Sequence, residues 1–312
     1  MTTALVTHDA ALAHVTPSGH PERVARLDHL LPALDGKSLT RIEAPEASAE
    51  DITLCHPAEY LSRIRESAPD EGFVQLDADT YMSPGTVEAA LRAVGGAVRA
   101  VDLVMTDKVQ NSFVAMRPPG HHAETAKPMG FCLFGNVAIA ARHALERHGL
   151  TRVAVVDFDV HHGNGTQDLL WSEPRSLFIS SHQMPLWPGS GAPEERGAHD
   201  NVLNIPLAPG TGGQEFRKVY EREVFGRLDA FEPEMIFISA GFDAHADDPL
   251  ANLNLREADF AWVTRELCGI ASRHAQGRVV SCLEGGYDLN ALAASGAAHV
   301  DALIDAAEPV QE

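Results

Sequence analysis

A chain of 312 residues with 45 % hydrophobic content has room for one or two domains and enough apolar material for a sizeable core. Its formal net charge of -20 argues against a nucleic-acid binder, since nothing would neutralise phosphates. No apolar run reaches the roughly 18 residues of a membrane span, which argues against a membrane partner.

The start, MTTALVTHDAALAH, has neither a basic region nor an apolar segment of the signal-peptide kind. Cys55, Cys132, Cys268 and Cys282 are scattered, with no CxxC, and read as reduced thiols of a cytoplasmic protein. The acidity would steer a cationic partner, and it serves equally as a solubility device. It leaves a homo-oligomer open.

Leu5 to His8 is the first strand candidate, followed by a turn-rich loop over His14–His20. Pro21-Glu22-Arg23 opens a helix with Val24, Leu27, Leu30 and Leu31 inward, ending near Asp35-Gly36. Residues 48–67 read as helical, with Cys55, Tyr60, Leu61 and Ile64 inward, and Leu76 to Pro84 as a loop. Ser83 is expected to cap a long Ala-rich helix to about Met105, in which Gly95-Gly96 permit close packing. Strand and helix signals then alternate. The strands are Ser112–Met116, Arg152–Asp157, Ser176–Ser181, Val202–Pro206, Met235–Ala240 and Arg278–Leu283, and the helices 135–148, 213–230, 256–275 and 288–305. Such alternation predicts an α/β protein, a parallel sheet with helices on both faces. No linker or repeat interrupts it, so residues 1–312 read as a single domain that frays after about Ala307.

Four polar clusters each follow a predicted strand, where ligands sit in open α/β sheets. In Asp157-x-Asp159-x-His161, spacing two would place three potential metal ligands on one face of a strand end. One aspartate there would be an ordinary helix cap; burying this much charge without a counter-ion is costly. Arg117-Pro-Pro-Gly-His121-His122 presents two imidazoles, the usual acid–base groups near neutral pH. A His-His pair taken alone is more often a solvated loop. Ser239-Ala-Gly-Phe-Asp243 supplies a natural third ligand. Glu284-Gly285-Gly-Tyr287 lets the backbone come close to a site and offers a phenol, although a lone Tyr after a strand is more often packing.

With these clusters in place, the chain resembles the histone deacetylase family of the arginase/deacetylase fold, and most of all its bacterial class II-type members. The resemblance runs from His20-Pro-Glu-Arg23 through RPPGHHA, GFCLFGN (Gly130–Asn136), DFDVHHGNGTQ, ISSH (Ile179–His182) and GFDAHADDPL to GGY. It implies one domain around a largely parallel eight-stranded sheet, and zinc-dependent hydrolysis of an acyl amide. Position by position it implies Asp159, His161 and Asp243 as zinc ligands, and His121 and His122 as the acid–base pair, their individual roles open. It further implies Asp157 as the orienter of His121, Asn164 as the partner of His122 and Tyr287 as the oxyanion donor. Gly130, Phe131, Trp187 and Gly285 would line the acyl-lysine tunnel. Asp157, Asp159, His161, Ser180 and Ser181 would hold a structural potassium ion, and Arg23 would lie near an internal acetate channel. Asn164 stands where class I relatives carry Asp and class II-type relatives Asn. A ureohydrolase of the same fold would need further carboxylates bridging two manganese ions, and here only Asp157 is spare. The acetylpolyamine branch tends to carry a charged gate beside its Asp-Pro motif. Leu250 after Asp248-Pro249 points instead to acyl-lysine on peptides or proteins, with small acylated amines as the alternative and zinc or iron as the metal.

Overall fold

Buried apolar runs make the frame. In the computed structural model, which describes residues 2–308, strands β1 (Thr3–Thr7), β2 (Leu39–Glu43), β5 (Asn111–Val114), β6 (Val153–Asp157), β7 (Ser176–Gln183), β8 (Val202–Leu207), β9 (Met235–Ala240) and β10 (Val279–Leu283) form one sheet. The order is β2-β1-β5-β10-β9-β6-β7-β8 and every pairing is parallel. Every residue of β5, β6, β7, β9 and β10 is buried, and β6, β9 and β10 accordingly read as near-continuous rather than alternating hydrophobic runs. A short antiparallel pair, β3 (Val74–Gln75) and β4 (Tyr81–Met82), lies apart from the sheet.

The helices are α1 (Ala10–Ala13), α2 (Ala25–Ala33), α3 (Ala49–Ile52), α4 (Ala58–Glu66), α5 (Thr86–Met105), α6 (Asn136–Arg147), α7 (Asn164–Leu170), α8 (Gly213–Val219), α9 (Phe225–Phe231), α10 (Glu257–His274) and α11 (Leu289–Ala307). One layer joins α1, α5 and α6; the other joins α2, α10 and α11. The parallel sheet expected from the alternation and the eight strands implied by the resemblance are therefore both observed. Among the described residues, no helix is long and apolar enough to cross a membrane.

Local departures have local causes. The strand Leu39–Glu43 carried no predicted signal because it is an edge strand, half exposed along its length. The helix expected from Pro21 starts only at Ala25, and Glu22 is drawn inward instead. The 48–67 segment splits at Pro57, which removes a backbone donor and begins α4. The loop expected over Leu76–Pro84 contains β4. The 213–230 helix contains a π turn over Tyr220–Val224. Helix α5 follows Gly85 rather than a Ser83 cap; the Ser83 hydroxyl accepts from Val15 N instead, at 3.0 Å. The expected fraying after Ala307 falls mainly on residues 309–312, outside the described residues.

Gly95 bears out its expected packing role. A Cβ there would lie 2.0 Å from Pro45 O and 2.7 Å from Ala47 N. Gly95→Ala should thus destabilise the protein, although alanine gains about 1 kcal/mol of helix propensity. Overpacking against fixed backbone costs roughly 1–3 kcal/mol and should prevail. A lowered midpoint of denaturant unfolding is expected; an unchanged or raised midpoint would show that α5 can slide.

Candidate functional site

Because all eight strands are parallel, the loops after β5, β6, β9 and β10 meet at one edge of the sheet. Strand β6 stops at Asp157, so the alternation expected to continue to His161 does not. The chain instead folds tightly on its own aspartates: Asp159 N donates to Asp157 Oδ1 at 3.0 Å and His161 N to Asp159 Oδ1 at 2.9 Å. These Asx-type bonds separate the roles. Asp157 turns to His121, while Asp159 and His161 turn to Asp243.

Asp159, His161 and Asp243 bring one ligand atom each within 4.8 Å of one another. His161 Nδ1 lies 3.2 Å from Asp159 Oδ1 and 3.1 Å from Asp243 Oδ2. Backbone donors fix the carboxylates from behind: Gly285 N to Asp159 Oδ2 at 2.8 Å and Val160 N to Asp243 Oδ1 at 2.9 Å. A Cβ at Gly285 would meet Asp243 Oδ2 at 2.1 Å and Asp159 Oδ2 at 2.6 Å, so glycine is what lets the chain pass beneath both acids. Both aspartates are fully buried. Burial opposes charge on His161, but its bonds to Asp159 and Asp243 raise it to about 10; burial, then the charge of Asp159, pushes Asp243 up to about 6. Coordinating a cation requires those protons to leave. Two carboxylates and one imidazole, buried and held from behind, fit a divalent cation.

The tandem histidines stack with ring centroids 3.9 Å apart. His121 Nδ1 bonds Asp157 Oδ2 at 2.9 Å and His122 Nδ1 bonds Asn164 Oδ1 at 2.8 Å. Asn164 Nδ2 donates to Glu124 Oε1 at 2.9 Å, which orients the amide and leaves its oxygen for His122. His122 therefore carries its proton on Nδ1, and its Nε2 lone pair is free. Burial works against charge on His121, yet Asp159 and Asp157 outweigh it and hold it well above the ordinary imidazole value. Burial, then the charges of His121 and His161, push His122 well below that value.

A cavity of about 250 Å³ opens here, lined by His122, His161, Gly130, Phe131, Leu186, Trp187, Tyr287, Leu250, Pro21 and Asp79. Phe131 and Tyr287 meet edge-to-face at 5.8 Å, and Trp187, 42 % exposed, stands edge-on to His122 at 4.7 Å. Gly130 takes φ 56°, and a Cβ there would strike His122 and Trp187. Burial holds the Tyr287 phenol well above its usual value, so it remains a proton donor. Ser180 faces Asp157 across the β6–β7 register; its hydroxyl contacts His182 Nδ1 at 3.0 Å and that of Ser181 contacts Tyr220 at 2.8 Å.

Arg23 is exposed, so the structure does not place it inside; the buried arginine is Arg26, three residues on. Arg26 donates to Gly286 O at 2.7 Å and to Glu284 O at 2.5 Å, and its guanidinium lies 5.0 Å from the Tyr287 ring centroid. Glu22 bridges Arg26 and Arg117, and Glu284 Oε2 accepts from Gly120 N at 2.7 Å and His121 N at 3.1 Å. Sequence reasoning assigned no role to Glu22, Arg26, Arg117 or Glu284. Their one signal was position, as charged residues beside the four clusters.

Residues 20–303 match the histone deacetylase domain. The chain is 42 % identical over 279 residues to the histone deacetylase-like amidohydrolase of Pseudomonas aeruginosa, covering 86 % of this chain and 73 % of that protein. It is 36 % identical over 334 residues to the polyamine deacetylase HDAC10 of Homo sapiens, covering 99 % of this chain and 49 % of that one. The crystal structure of the HDA15 HD domain superposes with a TM-score of 0.92 at 31 % identity, over 97 % of this chain and 88 % of that chain.

The geometry generates a directional test. Asn164→Asp is near-isosteric and sets a negative charge beside His122. An opposite charge within about 4–6 Å favours the protonated ring, so the His122 pKa should rise. Histidine NMR titration checks this; an unmoved or lowered value would mean that Asn164 does not govern His122.

Proposed function

The chain belongs to the histone deacetylase domain family, and on that premise we propose that it is a zinc-dependent amidohydrolase removing acetyl or other acyl groups from lysine side chains of peptides or proteins. The observation that carries this reading is the convergence of Asp159, His161 and Asp243 at a narrow cavity walled by His122 and Tyr287. A divalent cation held by those three groups would polarise the amide carbonyl and lower the pKa of bound water.

The remaining work falls to the chain's own groups. His122, kept neutral with Nε2 free, accepts the proton of the attacking water. His121, kept charged by Asp159 and Asp157, supplies the proton that the leaving amine takes. The Tyr287 hydroxyl donates to the oxygen as negative charge develops there. Water thereby adds across the C–N bond, giving a free amine and a carboxylate. Phe131 and Trp187 flank the methylene chain of the substrate, and Gly130 leaves room between them. Backbone and side-chain oxygens of Asp157, Asp159, His161, Ser180 and Ser181 would hold potassium behind the site; both serine hydroxyls keep an acceptor lone pair beyond the contacts described. Residues 1–312 act together as one catalytic domain.

Leu250, 36 % exposed at the cavity mouth, supports acyl-lysine, because it sets an apolar group where a charged gate would select a polyamine. Asp79 at the same mouth is the observation that favours the second reading, a small acylated amine with a distal cation. A turnover panel of acetyl- and longer-acyl-lysine peptides against acetylpolyamines separates the two. Peptide turnover abolished by chelation and restored by zinc is expected. Turnover of neither class would overturn the activity, and full turnover by metal-stripped protein its metal dependence.

Tyr287→Phe should lower kcat on the order of 10²–10³-fold, the range of one lost oxyanion donor, with substrate binding little changed. An unchanged kcat would return Tyr287 to a packing role.

A further inference from the structure

A second group of metal-ligating side chains lies outside the cavity. Asp102 sits in the last turn of α5, His143 in the last turns of α6, and His148 at the C-cap of α6. Asp102 Oδ1 is 2.9 Å from His143 Nε2 and 2.8 Å from His148 Nε2, and the two rings stand 5.4 Å apart. One ligand atom from each lies within 4.8 Å of the others. We propose that Asp102, His143 and His148 form a second divalent-cation site, suited to zinc or a similar transition metal, which ties α5 to α6 far from the catalytic cavity.

The donor chemistry fits. Two imidazole nitrogens and one carboxylate oxygen are a borderline-soft set of the kind that binds zinc. Side-chain exposures of 35 % for Asp102 and 21 % for His148 leave one side open to water as a fourth ligand, while His143 is buried beneath. The location fits as well. Both α5 and α6 end here, and the partial negative charge of two helix C-termini favours a cation. Asn136, at the other end of α6, borders the loop carrying the catalytic histidines through its bond to Pro118 O. Helix α6 has 12 residues, about 18 Å of rise, and His143 and His148 lie toward its end away from Asn136.

A further detail is the far nitrogen of His143. Its Nδ1 is buried and has no hydrogen-bond partner among the described residues. In the plain reading, Asp102 simply accepts an N–H from each ring. A neutral His143 would then carry its proton on Nε2, and the Nδ1 lone pair would face the Asp51 carboxylate, 3.8 Å away. That arrangement sets a lone pair against a negative charge. A metal on Nε2 reverses it. The proton moves to Nδ1, on the side where Asp51 Oδ1 lies 3.8 Å away, beyond direct hydrogen-bond reach but electrostatically favourable, while Asp51 Oδ2 stays engaged by Ser48 N at 2.9 Å and Ser48 Oγ at 2.7 Å. Metal-bound histidines characteristically donate their other N–H to a carboxylate. Helix α3, which carries Asp51, thus joins α5 and α6 around one ion.

The test is a zinc count on the intact protein. Equilibrium dialysis against buffered zinc, with bound metal measured by mass spectrometry, should give two equivalents per chain, and filling the second should raise the unfolding midpoint. His148→Ala and the near-isosteric Asp102→Asn should each bind one equivalent and lose that rise, with kcat on an acyl-lysine peptide unchanged. Asp243→Ala should do the reverse, retaining the second equivalent and losing turnover. Parent protein that binds a single zinc, or either Asp102 or His148 variant still binding two, would overturn the proposal.

Discussion

The constraint on which this structure depends is an excess of buried negative charge at one edge of the sheet. Glu22, Asp157, Asp159, Asp243 and Glu284 are all fully buried, and among the described residues only two arginines, Arg26 and Arg117, are buried with them. A carboxylate withdrawn from water without a partner is strongly destabilising, so the shortfall has to be met locally. A divalent cation held by Asp159, His161 and Asp243 would supply the larger share of the missing positive charge, with the His121 imidazolium and the potassium proposed beside Asp157 and Asp159 as further contributors. With no cation, the balance can come only from protons. His161 is then held charged, and burial lifts Asp243 to about 6 and Glu284 to about 7. Acid and metal thus compete for the same carboxylates.

The fold exists to set those charges against each other. Strands β5, β6, β9 and β10 are neighbours in the sheet though scattered through the chain, and each ends in one of the polar loops. Rigid, wholly buried strands fix the loop roots. Asx bonds and backbone donors then fix the side chains, so the ligand carboxylates cannot relax outward. The same arrangement pushes two adjacent imidazoles in opposite directions: Asp159 and Asp157 raise His121, whereas burial and the charges of His121 and His161 lower His122, whose own partner Asn164 is an uncharged amide.

The legible part of this protein was its periodicity and its clusters. The alternation from Ser112 onward carried the parallel sheet, and the residues after each strand carried the site, because both are local patterns. Asp159 and His161 converge with Asp243, the set the resemblance implied, whereas the spacing had grouped them with Asp157, which turns away to His121; the strand stops at Asp157, and turns, not pleating, aim the ligands. Less legible were features decided by distant partners. Leu39–Glu43 is a strand only because β1 offers it an edge. Arg26 was passed over for Arg23 because nothing local says which of two arginines in one turn faces inward; that is settled by the carbonyls of Glu284 and Gly286, more than 250 positions away along the chain. The Asp102–His143–His148 group gave no motif either, since α5 and α6 meet only in the folded state.

The account stands most directly on where a metal binds. Anomalous diffraction from zinc-loaded crystals should place an ion between Asp159, His161 Nδ1 and Asp243, with ligand distances of about 2.0–2.2 Å. His161 would then be deprotonated at Nδ1 and the buried charge balanced. Anomalous density absent from that position, in crystals whose zinc content has been confirmed, would contradict the claim that a cation balances the buried carboxylates.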